Sequence, residues 1–80
     1  MLAKVTVTLK QGLLDPQGKT IQQALDSLGF RGVTQVRVGK YLEITLNHKQ
    51  SKAAKQDVER MCQKLLANPV VETYRVELRR

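Results

Sequence analysis

The stretch Val36 to Leu46, Val-Arg-Val-Gly-Lys-Tyr-Leu-Glu-Ile-Thr-Leu, limits the fold of this chain more than any other. Val36 and Val38 alternate with Arg37. Leu42, Ile44 and Leu46 alternate with Glu43 and Thr45. A period of two sends successive side chains to opposite faces of a sheet, so each run reads as a strand with one apolar face. Gly39 stands between the runs, and glycine permits the backbone of a tight turn or bulge. The stretch therefore predicts two consecutive strands with a bend near Gly39. A helical pattern flanks the pair on each side, and another strand pattern lies beyond each helix.

The first outer strand is predicted at Lys4 to Lys10, where Val5, Val7 and Leu9 share one face and Thr6 and Thr8 the other. Leu14-Asp15-Pro16-Gln17-Gly18 opens a helix: Asp15 caps free N–H groups of the first turn, and Pro16 takes the first helical position. Ile21, Ala24, Leu25 and Leu28 then recur at helical spacing, and Gly29 is the expected stop. Phe30 to Gly32 leads into the central pair. After the polar turn His48-Lys49-Gln50, Ser51 is the expected cap of a second helix. Its apolar stripe is Ala54, Val58, Met61, Cys62, Leu65 and Leu66, and Asn68-Pro69 ends it, with Asn68 in a left-handed cap. Val70 to Leu78 is the last strand. The order βαββαβ predicts a single-domain α+β open sandwich. Its antiparallel four-stranded sheet carries both helices on one face and leaves the other face open. Short exposed edges of this kind invite sheet extension across a dimer.

A chain of 80 residues buries only about 60% of its unfolded surface, so a small core and a supporting partner are expected. Fourteen Lys and Arg against seven Asp and Glu give +7, which points toward acidic partners, nucleic acid included. The cations are dispersed, however, with one adjacent pair at Arg79-Arg80. The expected open face offers Tyr41 as its one aromatic, which argues against base stacking and makes a nucleic-acid module the lesser alternative. No apolar run of about 18 residues occurs, so no membrane span is expected. The first residues enter a strand pattern at once and lack the parts of a signal peptide, and the single cysteine allows no intrachain disulfide. The expected location is the cytoplasm.

The chemical inventory is thin. Cys62 lies on an apolar helix stripe and reads as a core residue. His48, the one histidine, reads as a solvated turn residue. Phosphate-loop, dinucleotide and metal-ligand spacings are missing, so no catalytic, cofactor-binding or metal-binding residue is expected. Two groups stand out as partner-interface candidates: Asp15, Pro16, Gln17 and Gly18 at the first helix start, and Arg37, Gly39, Lys40 and Tyr41 around the central glycine. The first group reads chiefly as a helix cap; the second combines Arg and Tyr, which are enriched at interfaces.

Taken together, Val-Thr-Val-Thr-Leu-Lys (5–10), Leu-Leu-Asp-Pro-Gln-Gly (13–18), Leu-Gly-Phe (28–30), Val-Arg-Val-Gly-Lys-Tyr-Leu-Glu-Ile (36–44) and Lys-Leu-Leu-Ala-Asn-Pro (64–69) carry a resemblance. The chain resembles the PurS family, the small subunit of phosphoribosylformylglycinamidine (FGAM) synthase of purine biosynthesis. The resemblance implies a ferredoxin-like fold and a homodimer or higher oligomer. It implies two further partners, the glutaminase subunit PurQ and the synthetase subunit PurL. It also implies a non-catalytic role in a glutamine-dependent carbon–nitrogen ligase: bridging the two and assisting ammonia transfer. The ATP and Mg used by such a complex belong to the large subunit, so this chain itself is expected to hold no cofactor.

Overall fold

The computed structural model describes all residues from Met1 to Arg80. Its elements in order are β1 (Leu2–Leu9), α1 (Pro16–Ser27), β2 (Gly39–Thr45), α2 (Ser51–Met61) and β3 (Glu72–Arg79), with a π-helical turn, Cys62–Leu66, continuing α2. β1 is the middle strand of a three-stranded antiparallel sheet ordered β2-β1-β3. Val5 stands opposite Leu42 on one side and Val76 on the other, so the apolar sets of all three strands share one face.

That face meets α2. Ala3, Val5 and Val7 of β1 pack with Ala54, Val58 and Cys62 in a core completed by Leu46 and Ala67. The helical spacing of Ala54, Val58 and Cys62 places all three on the sheet side. The opposite face carries Lys4, Thr6, Thr8, Tyr41, Glu43, Thr73, Arg75 and Glu77, and it is open.

Two expectations need correction here. The sheet has three strands, not four, because Val36–Val38 pairs with nothing in the sheet. Both helices were expected on one face, yet α1 supplies no residue to the core. Both corrections have one cause. No turn or bend interrupts residues 33–45, and Gly39 does not adopt positive φ. Without a hairpin at Gly39, residues 33–38 run on past the sheet and carry α1 away with them. The molecule measures 50 × 25 × 14 Å, and its radius of gyration is 16.0 Å. A compact chain of this length would have a radius of about 12 Å.

The expected caps of α1 are borne out, and those of α2 are not. Asp15 caps α1, and Gly29, at φ 99°, closes it. The Gly29 N–H donates to Asp26 O, and the Phe30 N–H to Leu25 O, both at 3.0 Å, which is the paired bonding of a glycine-terminated helix. Ser51 is the first residue of α2 rather than its cap. Gln50 stands at the cap and uses only its backbone carbonyl, which accepts from the Ala54 N–H at 3.2 Å. Asn68 is not left-handed. Its side-chain carbonyl instead accepts from the Val70 N–H at 3.1 Å, and its backbone carbonyl accepts from Val71 and Glu72, forming the turn into β3.

Candidate functional site

Asp15 draws the two candidate groups together. Its Oδ1 accepts from the Gly18 N–H and its Oδ2 from the Val38 N–H, each at 2.8 Å. One carboxylate thus caps α1 and fastens the 33–38 segment beneath it. The Val38 bond first, and the Gly18 bond second, hold the Asp15 carboxyl below its ordinary pKa. With both oxygens engaged, Asp15 fills its own helix terminus, which supports the cap reading over a site for an external anion.

The rest of the segment is pinned in similar ways. Gln22 Nε2 donates to the carbonyls of Val33 and Thr34, at 3.2 and 3.0 Å. The Arg37 guanidinium donates to the Leu9 carbonyl at the end of β1. Gly18 is buried because Val36 lies across it; a Cβ there would run into the Val36 carbonyl. Gly18 therefore serves packing within the chain. A Cβ on Gly39 would meet the Val7 carbonyl, so this glycine allows β1 and β2 to close on each other and does not make a turn. α1 and residues 33–38 together form an arm.

Apolar side chains are exposed on and around the arm, as they are at Leu65 (82%), which was expected on the apolar stripe of α2, and at Val70 (76%). Leu14 is 78% exposed, Leu28 73% and Phe30 59%, and Ile21 is also exposed. The other named candidates lie beside it. Pro16 and Gln17 are exposed on the first turn of α1. Lys40 is exposed on the α2 side of β2, and Tyr41 on the open face, where its hydroxyl donates to Glu43 Oε2 at 2.9 Å. Partial desolvation, followed by that bond, raises the Tyr41 pKa above its ordinary value.

The residues with the most chemical potential are engaged elsewhere. Cys62 is fully covered in the core, and burial raises its thiol pKa. His48 is not a solvated turn residue. Its Nε2 lies 2.7 Å from Asp57 Oδ2, and Arg60 also bonds Asp57. The bond to His48 first, then that to Arg60, lowers the Asp57 pKa. This clasp holds the connection after β2 against α2. Residue spacing gave no sign of it, since nine positions separate His48 from Asp57. No group of three or more His, Cys, Asp or Glu side chains is placed to hold a metal ion, and no helix is long and apolar enough to cross a membrane.

Fold and site define a class: a small α+β protein whose distinctive surface is an apolar arm beside an unpaired strand edge, suited to association. The family follows from comparison. Residues 2–80 match the family model described as PurS, phosphoribosylformylglycinamidine (FGAM) synthase. The chain is 48% identical over 75 residues to phosphoribosylformylglycinamidine synthase subunit PurS of Bacillus subtilis, covering 94% of this chain and 88% of that one. It is 43% identical over 76 residues to the subunit of the same name from Methanocaldococcus jannaschii, covering 95% and 92%. The solved structure of Bacillus subtilis PurS superposes with a TM-score of 0.89 at 46% identity, covering 99% of this chain and 98% of that one. A chain in the structure of PurLQS from Thermotoga maritima gives 0.82 at 32% identity, covering 96% of each. This chain belongs to the PurS family.

Proposed function

We propose that this chain is the non-catalytic small subunit of FGAM synthase, acting in the cytoplasm. It holds the glutaminase PurQ and the synthetase PurL together and assists the passage of ammonia from one to the other. In this reading ATP and Mg bind the large subunit, and the chain forms a single domain that also associates with itself. The likeness to a chain of PurLQS over 96% of both chains is the observation that carries the reading. The geometry agrees with it. His48 and Cys62 are committed to structure, while Leu14, Leu28 and Phe30 on and around the arm are exposed. The assembly surface comprises Pro16, Gln17, Arg37, Lys40 and Tyr41, with Asp15, Gly18 and Gly39 setting its shape.

The test is glutamine-dependent amidation by PurL and PurQ with and without this chain, run in parallel with free ammonia. The chain should restore the glutamine-dependent rate and leave the ammonia-dependent rate nearly unchanged. Failure to do so, with no co-elution with either subunit, would overturn the reading.

A further inference from the structure

β3 forms the edge of the sheet opposite β2. The Lys10 N–H donates to Val71 O at 2.9 Å, so Val71 turns its carbonyl toward β1. Strand geometry repeats every two residues, so Thr73, Arg75, Glu77 and Arg79 also turn their backbone groups inward, opposite Thr8, Thr6, Lys4 and Leu2. Tyr74, Val76 and Leu78 therefore point their N–H and C=O groups outward, where the sheet ends. Their side chains lie on the α2 side and are only half-buried against the core. Two common protections of an edge, proline and a bulge, are missing: β3 keeps unbroken register with β1 from Glu72 to Arg79. Between β3 and the π-helical turn lies an open groove of about 540 Å³, bordered by Gln63, Pro69, Glu72, Thr73 and Tyr74. On the open face, Glu77 has Lys4 opposite it and the Arg79 guanidinium 3.6 Å away. Arg75 is exposed, stands opposite Thr6, and pairs with no carboxylate.

We infer that the β3 edge takes up an extended segment of another protein as an added strand, one that alternates apolar with acidic side chains. The free N–H and C=O groups supply main-chain bonds to any strand, and the two faces select its alternate side chains. On the α2 side the segment lies beside Tyr74, Val76 and the groove, a setting for apolar residues. On the open face it lies beside Arg75, whose unpaired charge favours Asp or Glu directly across the strands. The β3 strand of a second copy answers this chemistry poorly. Between residues 73 and 80 it carries three arginines against one glutamate, so it adds positive charge where negative charge is wanted. The inference rests on the subunit reading above, which supplies the other proteins: the segment belongs to PurL or PurQ. It assigns the β3 edge to the enzyme subunits.

Amide exchange in the complex with PurL and PurQ, quenched and read residue by residue, tests this without a substitution. The Thr73, Arg75 and Glu77 amides are held by β1 in the free chain and in the complex, and serve as the internal reference. The Tyr74, Val76 and Leu78 amides should exchange about tenfold or more slowly in the complex than in the free chain. Arg75→Glu, which alters an exposed side chain and should melt like wild type, should weaken capture of PurL and PurQ by about tenfold at low salt, and Arg75→Lys should keep most of it. Three results would overturn the inference while the subunit reading survives. One is a chain that restores glutamine-dependent amidation while Tyr74, Val76 and Leu78 exchange as fast as in the free chain. Another is a folded Arg75→Glu that captures both subunits as wild type does. The third is protection at those three amides that grows with the concentration of the chain alone, which would give the edge to a second copy. A chain that neither restores the rate nor co-elutes with PurL or PurQ would overturn both.

Discussion

Truncating one buried and one exposed side chain separates the core from the arm. Val58 is fully covered between α2 and the sheet, whereas Leu28 at the end of α1 is 73% exposed. Val58→Ala removes two methyl groups, costing about 1.6 kcal/mol in transfer at about 0.8 kcal/mol each. A residual cavity on the order of 40 Å³ adds about 1 kcal/mol at about 24 cal/mol per Å³. The sum, about 2.5 kcal/mol, is a large share of the roughly 4–12 kcal/mol expected for a domain of this length. It should lower Tm by about 10–20 °C. Leu28→Ala removes a larger side chain, but only about a quarter of it is covered, so it should cost about 0.5–1 kcal/mol in the isolated chain. Circular dichroism melts over a hundredfold range of concentration are the assay. Val58→Ala should shift Tm by a similar amount throughout. Leu28→Ala should show only that small loss at high dilution and fall further behind wild type as concentration rises if its exposed surface serves association. Equal losses for the two variants at the dilute limit would refute the placement of α1 outside the core.

Three further outcomes follow from the geometry. Gly39→Ala forces a methyl group into the Val7 carbonyl and should lower Tm even at high dilution, whereas Gly32→Ala, with open space around it, should be nearly neutral. The Asp57 pKa is lowered on folding, so the unfolded chain binds its proton more readily. Its contribution is complete above the ordinary carboxylate pKa and is lost as pH falls through the lowered folded value. Urea midpoints should therefore drop as pH falls through and below the ordinary carboxylate range, and Asp57→Asn should flatten that drop. Cys62, buried and with a raised thiol pKa, should react with a thiol reagent at a rate set by chain opening, so denaturant should accelerate labelling in step with unfolding.

Much of the local structure was legible because its causes are local. Alternation at Val5 and Val7, helical spacing from Ala54 to Cys62, and the caps Asp15 and Gly29 each act within a few residues. The missing information concerned partners. Alternation at Val36 and Val38 identifies an extended segment but does not say which strand it joins. Gly39 carried two possible meanings, a turn or a close approach, and only the position of the Val7 carbonyl distinguishes them. Val36 lying across Gly18 and the His48–Asp57 clasp likewise depend on chain crossings that no spacing rule encodes. Of the candidate site, the sequence marked both the helix start and the glycine stretch. It did not reveal that Asp15 binds one to the other through Val38.

The arm explains why these features belong together. An amphipathic helix gains most of its stability by burying its apolar face. α1 leaves most of Leu28 and about a third of Ile21 in solvent, although Asp15 and Gly29 cap its ends. Its docking inside the chain includes polar and backbone contacts: Asp15 to Val38, Gln22 to Val33 and Thr34, and Gly18 beneath Val36. These contacts orient the helix relative to the strand run, while Leu25 is half-buried and Leu28 stays largely free. Such an arrangement keeps the arm rigid while leaving its adhesive surface available. The same reasoning assigns Gly18 and Gly39 different consequences. Alanine at Gly39 disturbs β1 and β2 within one chain, whereas alanine at Gly18 tilts the arm and leaves the core intact. A Gly18→Ala variant that melts like wild type at high dilution, yet assembles poorly with itself or with PurL and PurQ, would place the role of Asp15-Pro16-Gln17-Gly18 in aiming the arm.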